Sequence, residues 1–113
     1  MRPDQDGATV ISRHWRGLAR RERAAEYEQY LRGDTFPALE QIPGFVKASI
    51  HKRVLEHGVE FVVISLWRSR EAIAAFAGAD VEAAVVPAKV QSMMVEYDRR
   101  ARHYEVAEGG GPS

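Results

Sequence analysis

The chain has 113 residues, 45% of them hydrophobic, with two Trp, four Tyr and four Phe, which suffices for one core but not two, so a single domain is expected. Sixteen basic residues balance sixteen acidic ones, which excludes a nucleic acid or an anionic membrane held by bulk charge. The absence of cysteine excludes disulfides, thiolate nucleophiles and cysteine-based metal sites.

Residues 1–8 are polar and without periodicity, and residues 107–113 ("AEGGGPS") are Gly-rich, so both ends are expected to be flexible tails around a folded domain at 9–106. The first element, "TVISRHW" at 9–15, is rich in β-branched and aromatic residues and reads as a strand. Between 18 and 39, Ala24, Tyr27, Tyr30 and Leu31 recur at helical spacing and predict one amphipathic helix. Gly33-Asp34 weakens that helix, and Phe36-Pro37 marks a break or restart. The basic residues Arg16, Arg20, Arg21 and Arg23 read as a solvated face.

"IPGF" at 42–45 is a turn, because Pro presets its first central position and Gly accepts the second. A strand is expected over 45–54, a hairpin turn at "EHG" (56–58), and the strongest strand at "VEFVVISLW" (59–67). That strand is apolar almost throughout, which implies burial on both faces. Helices can cover one face; a second copy of the chain is the economical cover for the other, and a small domain gains most from burying surface in this way. A second helix follows over 70–76, with Ser69 as N-cap, Ile73 and Phe76 on its apolar stripe and Gly78 at its end. Asp80 is positioned to cap a further short helix, "VEAAVV", before Pro87; residues 88–99 read as helical or irregular, and the last strand is "RARHYEV" at 100–106. The order strand, helix, strand, strand, helix, strand predicts an α+β, ferredoxin-like fold with an antiparallel sheet. No apolar run approaches the roughly 18 residues a membrane helix needs, and the N-terminus lacks a signal-peptide core, so a soluble cytoplasmic protein is expected.

The early strand followed by a long helix, "IPGF" before the hairpin, "VVISLWRSREAIAAFAG" with its Trp-x-Ser-x-Glu-Ala turn, and "HYEV" in the last strand together resemble the antibiotic biosynthesis monooxygenase superfamily of dimeric α/β-barrel proteins. The resemblance spans nearly all of 9–106. It implies a homodimer whose sheets pack face to face, with a pocket in each subunit between sheet and helices. It further implies a monooxygenase that needs no metal, flavin or other cofactor and acts on a small aromatic or polyketide-like molecule; a related isomerase or cyclase is the neighbouring possibility, and a non-catalytic dimer holding a small apolar ligand is the alternative. Heme-degrading members carry an Asn in the first strand, a Trp in the second helix and a His shortly after it. Here the corresponding positions hold Ser12, Arg13 and His14, then Phe76, then Val86, and none matches.

Within this frame His14 and His103 are the candidate catalytic groups, since a histidine titrates near neutrality and can take a proton from a phenol or enol; a purely structural role competes with that reading for both. The first strand is central in such a sheet, which makes the two histidines possible cross-strand neighbours. A metal held by the pair with Asp98 or Glu105 has no compact ligand spacing behind it, so no metal is expected. Trp15, Tyr27, Trp67, Phe76 and Tyr104 are the candidate substrate-binding residues, with Tyr30 sharing the helix face of Tyr27. For Trp67 and Phe76, core packing is the competing role. Arg13 would stabilise an enolate if it faced inward, but an unpaired inward arginine is costly, so a surface or interface salt bridge is expected. His51 and His57, in or beside the hairpin, are expected to be exposed. Neither a phosphate-binding Gly-rich loop nor a Gly-x-Ser-x-Gly element is present, since "GGG" at 109–111 follows no strand core.

Overall fold

The computed structural model describes residues 9–107 and 110–112; the tail expected at 1–8 lies outside the described residues. Five strands form one antiparallel sheet: β1 Val10–Ala19, β2 Phe45–Leu55, β3 Gly58–Trp67, β4 Met94–Tyr97 and β5 Arg102–Val106. The sheet order is β2-β3-β1, and the far edge of β1 is shared, its Gly17–Ala19 end pairing with β4 and its Val10–His14 end with β5. The α+β, ferredoxin-like fold expected from the sequence is the one observed.

Alternation along β1 divides its side chains. Ile11, Trp15 and Ala19 turn toward the helices, and opposite them on β3 lie Trp67, Val63 and Val59. Ser12, His14 and Arg16 turn to the other face, where Leu66, Ile64 and Val62 stand opposite. On that second face Arg16 and Arg53 both donate to Glu60, and Arg16 also reaches Glu96. Among the described residues no element packs over it, and Val62, Ile64 and Leu66 are half-buried.

The first helical segment is continuous but not uniform. A single 3-10 turn, Arg21–Arg23, leads into α1 Ala24–Tyr30, a π-helical turn spans Leu31–Thr35, and α2 Phe36–Leu39 completes it. The wide turn falls on Gly33-Asp34, where helix propensity is lowest, and Phe36-Pro37 restarts the α-helix with Pro in its first turn, where its missing N–H is not needed. In "IPGF", Phe45 N–H donates to Ile42 C=O at 3.1 Å, and Gly44 adopts φ 98°, the left-handed value that the second central residue of this turn requires. Helix α3 spans Arg70–Ala77; Ser69 Oγ accepts from Ala72 N–H at 3.1 Å, and Gly78 ends the helix.

Three expectations are corrected. "VEAAVV" does not form a helix: the segment runs as turns and extended chain, pinned where Ala83 bridges Arg100 and Ala101 N–H donates to Glu82 C=O at 2.8 Å. Residues 88–99 are helical only over α4 Ala88–Gln91; β4 follows, because the Gly17–Ala19 end of β1 offers backbone groups that need partners. The last strand begins at Arg102, not Arg100, since residues 98–101 leave the ladder between β4 and β5. Among the described residues, no helix is long and apolar enough to cross a membrane.

Candidate functional site

Between the sheet and the helical segment lies a cavity of about 220 Å³, small beside the roughly 300–1,000 Å³ of pockets that hold drug-sized ligands. Each wall has a distinct origin. The sheet contributes Arg13, Trp15, Val63 and Ser65; the first helical segment contributes Tyr27, Tyr30, Phe36 and, through the π-helical turn, Asp34 and Thr35. Phe76 of α3 and the 79–87 connection, through Val85 and Pro87, close the remaining side. Asp34 and Thr35 stand three to four residues beyond Tyr30 and Leu31, the spacing that keeps side chains on one helix face, and the π-helical turn at Leu31–Thr35 does not remove them from the cavity.

Trp15 is held by two devices. Its Nε1–H donates to Asp98 C=O at 2.8 Å, so the break between β4 and β5 serves as an acceptor for the indole. Its ring also leans across Gly17: a Cβ there would meet Trp15 Cη2 at 2.4 Å and Cζ3 at 2.9 Å. Gly17→Ala is therefore expected to displace the ring from the cavity wall and to destabilise the domain by about 1–3 kcal/mol. Urea unfolding gives the stability change, and tryptophan emission reports the ring displacement.

Among the described residues Arg13 is the one cationic side chain lining the cavity, and it is only 5% exposed. It does not form the expected surface salt bridge: among the described residues no carboxylate contacts it. Nη1 donates to Val81 C=O and to His103 Nε2, the latter at 2.9 Å, and Nη2 donates to Ala83 C=O at 2.8 Å. The guanidinium also stands 5.7 Å from the Phe76 ring centroid, where the negative ring face attracts it. Burial lowers the Arg13 pKa from its ordinary value, yet an arginine stays charged at any physiological pH. The cavity thus carries a fixed cation in an apolar setting, oriented by neutral groups.

His103 stands behind that cation. It pairs with Arg13 in the β1-β5 ladder, whereas His14 pairs with Arg102, so the two histidines lie on opposite faces and are not the expected neighbours. His103 lies on the Arg13 side without lining the cavity, and among the described residues its buried Nδ1 has no hydrogen-bond partner. His14 lies on the second face, 3.0 Å from Ser12 Oγ and edge-on to Tyr104 at 4.9 Å. No metal can be shared by His14 and His103 in this arrangement, and among the described residues no three His, Asp or Glu side chains converge on one point. His51 and His57 are exposed.

Burial, then Arg13 and Arg70, lower the His103 pKa, while Glu82 opposes them and His14 adds a small lowering. Burial, then Arg102 and His51, lower that of His14. The sign follows from which state takes the proton first. Below about pH 6.5 the unfolded chain protonates its histidines before the folded protein does, so stability falls as pH drops; well above that value both states are neutral and the effect vanishes. We expect the melting temperature to decline from about pH 7.5 to about pH 5.5 and His103→Gln to flatten part of that decline in calorimetry, His14 keeping the remainder.

Of the residues singled out for binding, Trp15, Tyr27 and Phe76 line the cavity. Tyr27 is buried, and burial raises its phenol pKa, so it stays a protonated donor. Trp67 is fully buried beneath Phe76 and is not part of the wall; Tyr104 is 51% exposed on the second face. Sequence reasoning missed Asp34, Thr35, Val85 and Pro87 as lining residues. The signal for the first two is their spacing, three to four residues beyond Tyr30 and Leu31 on the same helix face.

Residues 8–87 match the antibiotic biosynthesis monooxygenase family. Among solved structures, the chain is similar to a monooxygenase from Streptomyces coelicolor in complex with nanaomycin D, with 18% identity, 94% of each chain covered and a TM-score of 0.65. It is similar to a protein of unknown function from Nitrosomonas europaea, with 13% identity, 95% of this chain and 98% of that one covered and a TM-score of 0.67. A heme-degrading protein from Mycobacterium tuberculosis shares 18% identity over 93% of this chain and 99% of its own, with a TM-score of 0.57. At these identities the likeness is one of fold. No curated protein matches the sequence.

Proposed function

Because the chain belongs to the antibiotic biosynthesis monooxygenase family, we propose that it is a cofactor-independent monooxygenase acting on a small aromatic or polyketide-like molecule in the sheet-helix cavity. The observation that carries this reading is a buried cation, Arg13, set among aromatic rings without a carboxylate to neutralise it. Trp15, Tyr27 and Phe76 offer flat apolar surface to a ring system. Arg13, in a setting where charge is weakly screened, stabilises the phenolate or enolate form of a bound substrate. That anion is electron-rich enough to reduce dioxygen itself, which is why no cofactor is needed. Asp34, the lining carboxylate, is the group to which the released proton can pass.

In this reading His103 is a positioning residue that acts through Arg13. A neutral imidazole orients the guanidinium without cancelling its charge, which a carboxylate in its place would do. His103→Ala is expected to lower kcat/KM for oxygen uptake by roughly tenfold to a hundredfold, with His103→Gln recovering part of the loss; His14→Ala, on the other face, should leave the chemical step within about threefold. A drop of a hundredfold or more for His14→Ala would reassign the proton-transfer role to it.

The alternative, a non-catalytic dimer that holds an apolar ligand, is favoured by one observation: neither histidine lines the cavity. Binding of a hydroxylated naphthalene, followed by tryptophan emission, with no oxygen consumed in a sealed electrode cell would select it.

We also propose that a second copy of the chain covers the uncovered sheet face. Val62, Ile64 and Leu66 form its apolar centre, with Tyr104 and Val106 among the exposed apolar residues beside them. Light scattering after size exclusion is expected to give the dimer mass at micromolar concentration, and Ile64→Arg to give the monomer. A wild-type monomer in that experiment would remove this proposal.

A further inference from the structure

Arg13 also carries information about the chemistry of the ligand itself. An arginine offers five N–H donors in a planar fork. Both donors of Nη1 are taken, by Val81 C=O and His103 Nε2, and one of Nη2 is taken by Ala83 C=O. Among the described residues the remaining two, Nε–H and one Nη2–H, have no acceptor. With Ala83 C=O on the Nη2 hydrogen nearer Nη1, the free pair lies on the side edge formed by Nε and Nη2, which presents two nearly parallel donors at the spacing of a carboxylate's two oxygens.

The cost of leaving this edge unused is what makes it informative. A buried cation without a counter-ion is expensive; its three neutral acceptors and the Phe76 ring offset part of that expense, and an anion on the unused edge would offset more. Within the cavity wall the one carboxylate is Asp34, which is exposed and does not pair with Arg13. The remaining wall is apolar or aromatic on the sheet and helix sides, with Trp15, Tyr27 and Phe76 as its flat surfaces. Two demands therefore meet in one ligand: a ring system small enough for about 220 Å³, and an anionic oxygen pair at one end.

We infer that the cavity takes an aromatic carboxylate, its carboxylate bidentate on Nε and Nη2 of Arg13 and its ring between Trp15 and Phe76. The inference rests on the reading of the sheet-helix cavity as the ligand site, and it gives Arg13 an anchoring role in place of the oxyanion role: a carboxylate uses its last two donors, so for such a ligand the loss in an Arg13 variant falls on KM. The 79–87 connection takes part, because its Val81 and Ala83 carbonyls fix the guanidinium's other edge; Arg100 ties that connection down through Asp80 and Glu82. Arg13 therefore joins the ligand to the segment that walls the cavity.

The test compares two probes of equal size, 2-naphthoate and the neutral 2-naphthalenemethanol, by calorimetric and tryptophan-emission titration of the full chain at pH 7.5. The acid is expected to bind at least about tenfold more tightly than the alcohol. Arg13→Gln should remove that preference by weakening the acid alone, and Arg13→Lys, which keeps the charge but loses the fork, should retain only part of it. Circular dichroism establishes that each variant is folded; if Arg13→Gln is not, Arg13→Lys and the wild-type preference decide. Equal affinity of the two probes for the wild type, binding of neither, or an acid preference untouched by the Arg13 variants would each overturn the inference. Oxygen consumption is measured in parallel with the hydroxylated pair 6-hydroxy-2-naphthoate and 2-naphthol, because a ring hydroxyl is needed to form the anion that reacts with oxygen. Acid-selective binding without turnover upholds the ligand class and removes the monooxygenase reading, whereas turnover of neutral phenols with no acid preference does the reverse.

Discussion

Truncating Trp67 to Ala is expected to destabilise the domain by about 3–5 kcal/mol, the range for emptying an aromatic site in a core. The indole is fully buried, edge-on to Phe45 at 5.3 Å and stacked with Phe76 at 6.2 Å. Its Nε1–H donates to Ser65 Oγ at 2.8 Å, so truncation opens a large void and strands a buried hydroxyl together. Neighbouring Leu39 and Ile73 are themselves buried in the same cluster and are tied to helices that cannot collapse far. Against a typical total stability of about 5–15 kcal/mol, a loss of this size removes at least about a fifth and up to all of it. Trp67→Phe keeps most of the ring and should cost about 1–2 kcal/mol, chiefly the stranded Ser65 hydroxyl. Urea unfolding of the two variants separates the cavity contribution from the hydrogen bond. A Trp67→Ala loss below about 1 kcal/mol would mean that the corner between β3 and α3 is far more plastic than close packing allows.

The second large effect is the one expected on the proposed oxygenation. Arg13→Met removes a preorganised charge from an apolar cavity, and kcat/KM for oxygen uptake with an autoxidisable hydroxylated naphthalene is expected to fall by roughly 10²–10³-fold, the range for deleting one oxyanion-stabilising donor. The loss should divide between the two kinetic constants in an interpretable way. An Arg13 that only anchors the ligand raises KM and spares kcat; one that stabilises the anion formed on the way to reaction with oxygen lowers kcat as well. Because Arg13 also holds Val81 and Ala83, the variant is expected to melt earlier. Arg13→Lys controls for this, since an ammonium can keep the charge and one carbonyl contact while losing the planar fork. Turnover by Arg13→Met within threefold of wild type would show that the cation plays no part in the chemistry.

The boundary between what was legible and what was not runs through single residues. Ser69 and Gly78 bounded the α3 helix correctly, because capping and helix ending are decided by a few adjacent residues. "IPGF" turned as expected for the same reason. "VEAAVV" misled, since helix propensity is a weak prior and here the segment's backbone groups found partners in residues 99–101 instead. The Ala88–Arg99 stretch misled in the same way: its second half completes a ladder with Gly17–Ala19, a partner more than seventy residues distant in sequence.

The site shows the division most plainly. From the sequence alone, alternation already required His14 and Trp15 to lie on opposite faces of the first strand, because that follows from backbone geometry within one element. The strong β3 pattern likewise marked the strand that carries two of the largest fully buried side chains, Phe61 and Trp67. Which face would meet the helices was settled only by packing, and with it the fate of every candidate: Trp15 and Arg13 inward, His14 and Tyr104 outward. Arg13 is the clearest case. Its neighbours in sequence say nothing of Val81, Ala83 and His103, which lie 68, 70 and 90 residues away, and without those three acceptors an inward guanidinium is too costly to expect. Local chemistry is written in adjacent residues; the environment that turns a surface arginine into a buried charge exists only once distant segments have met.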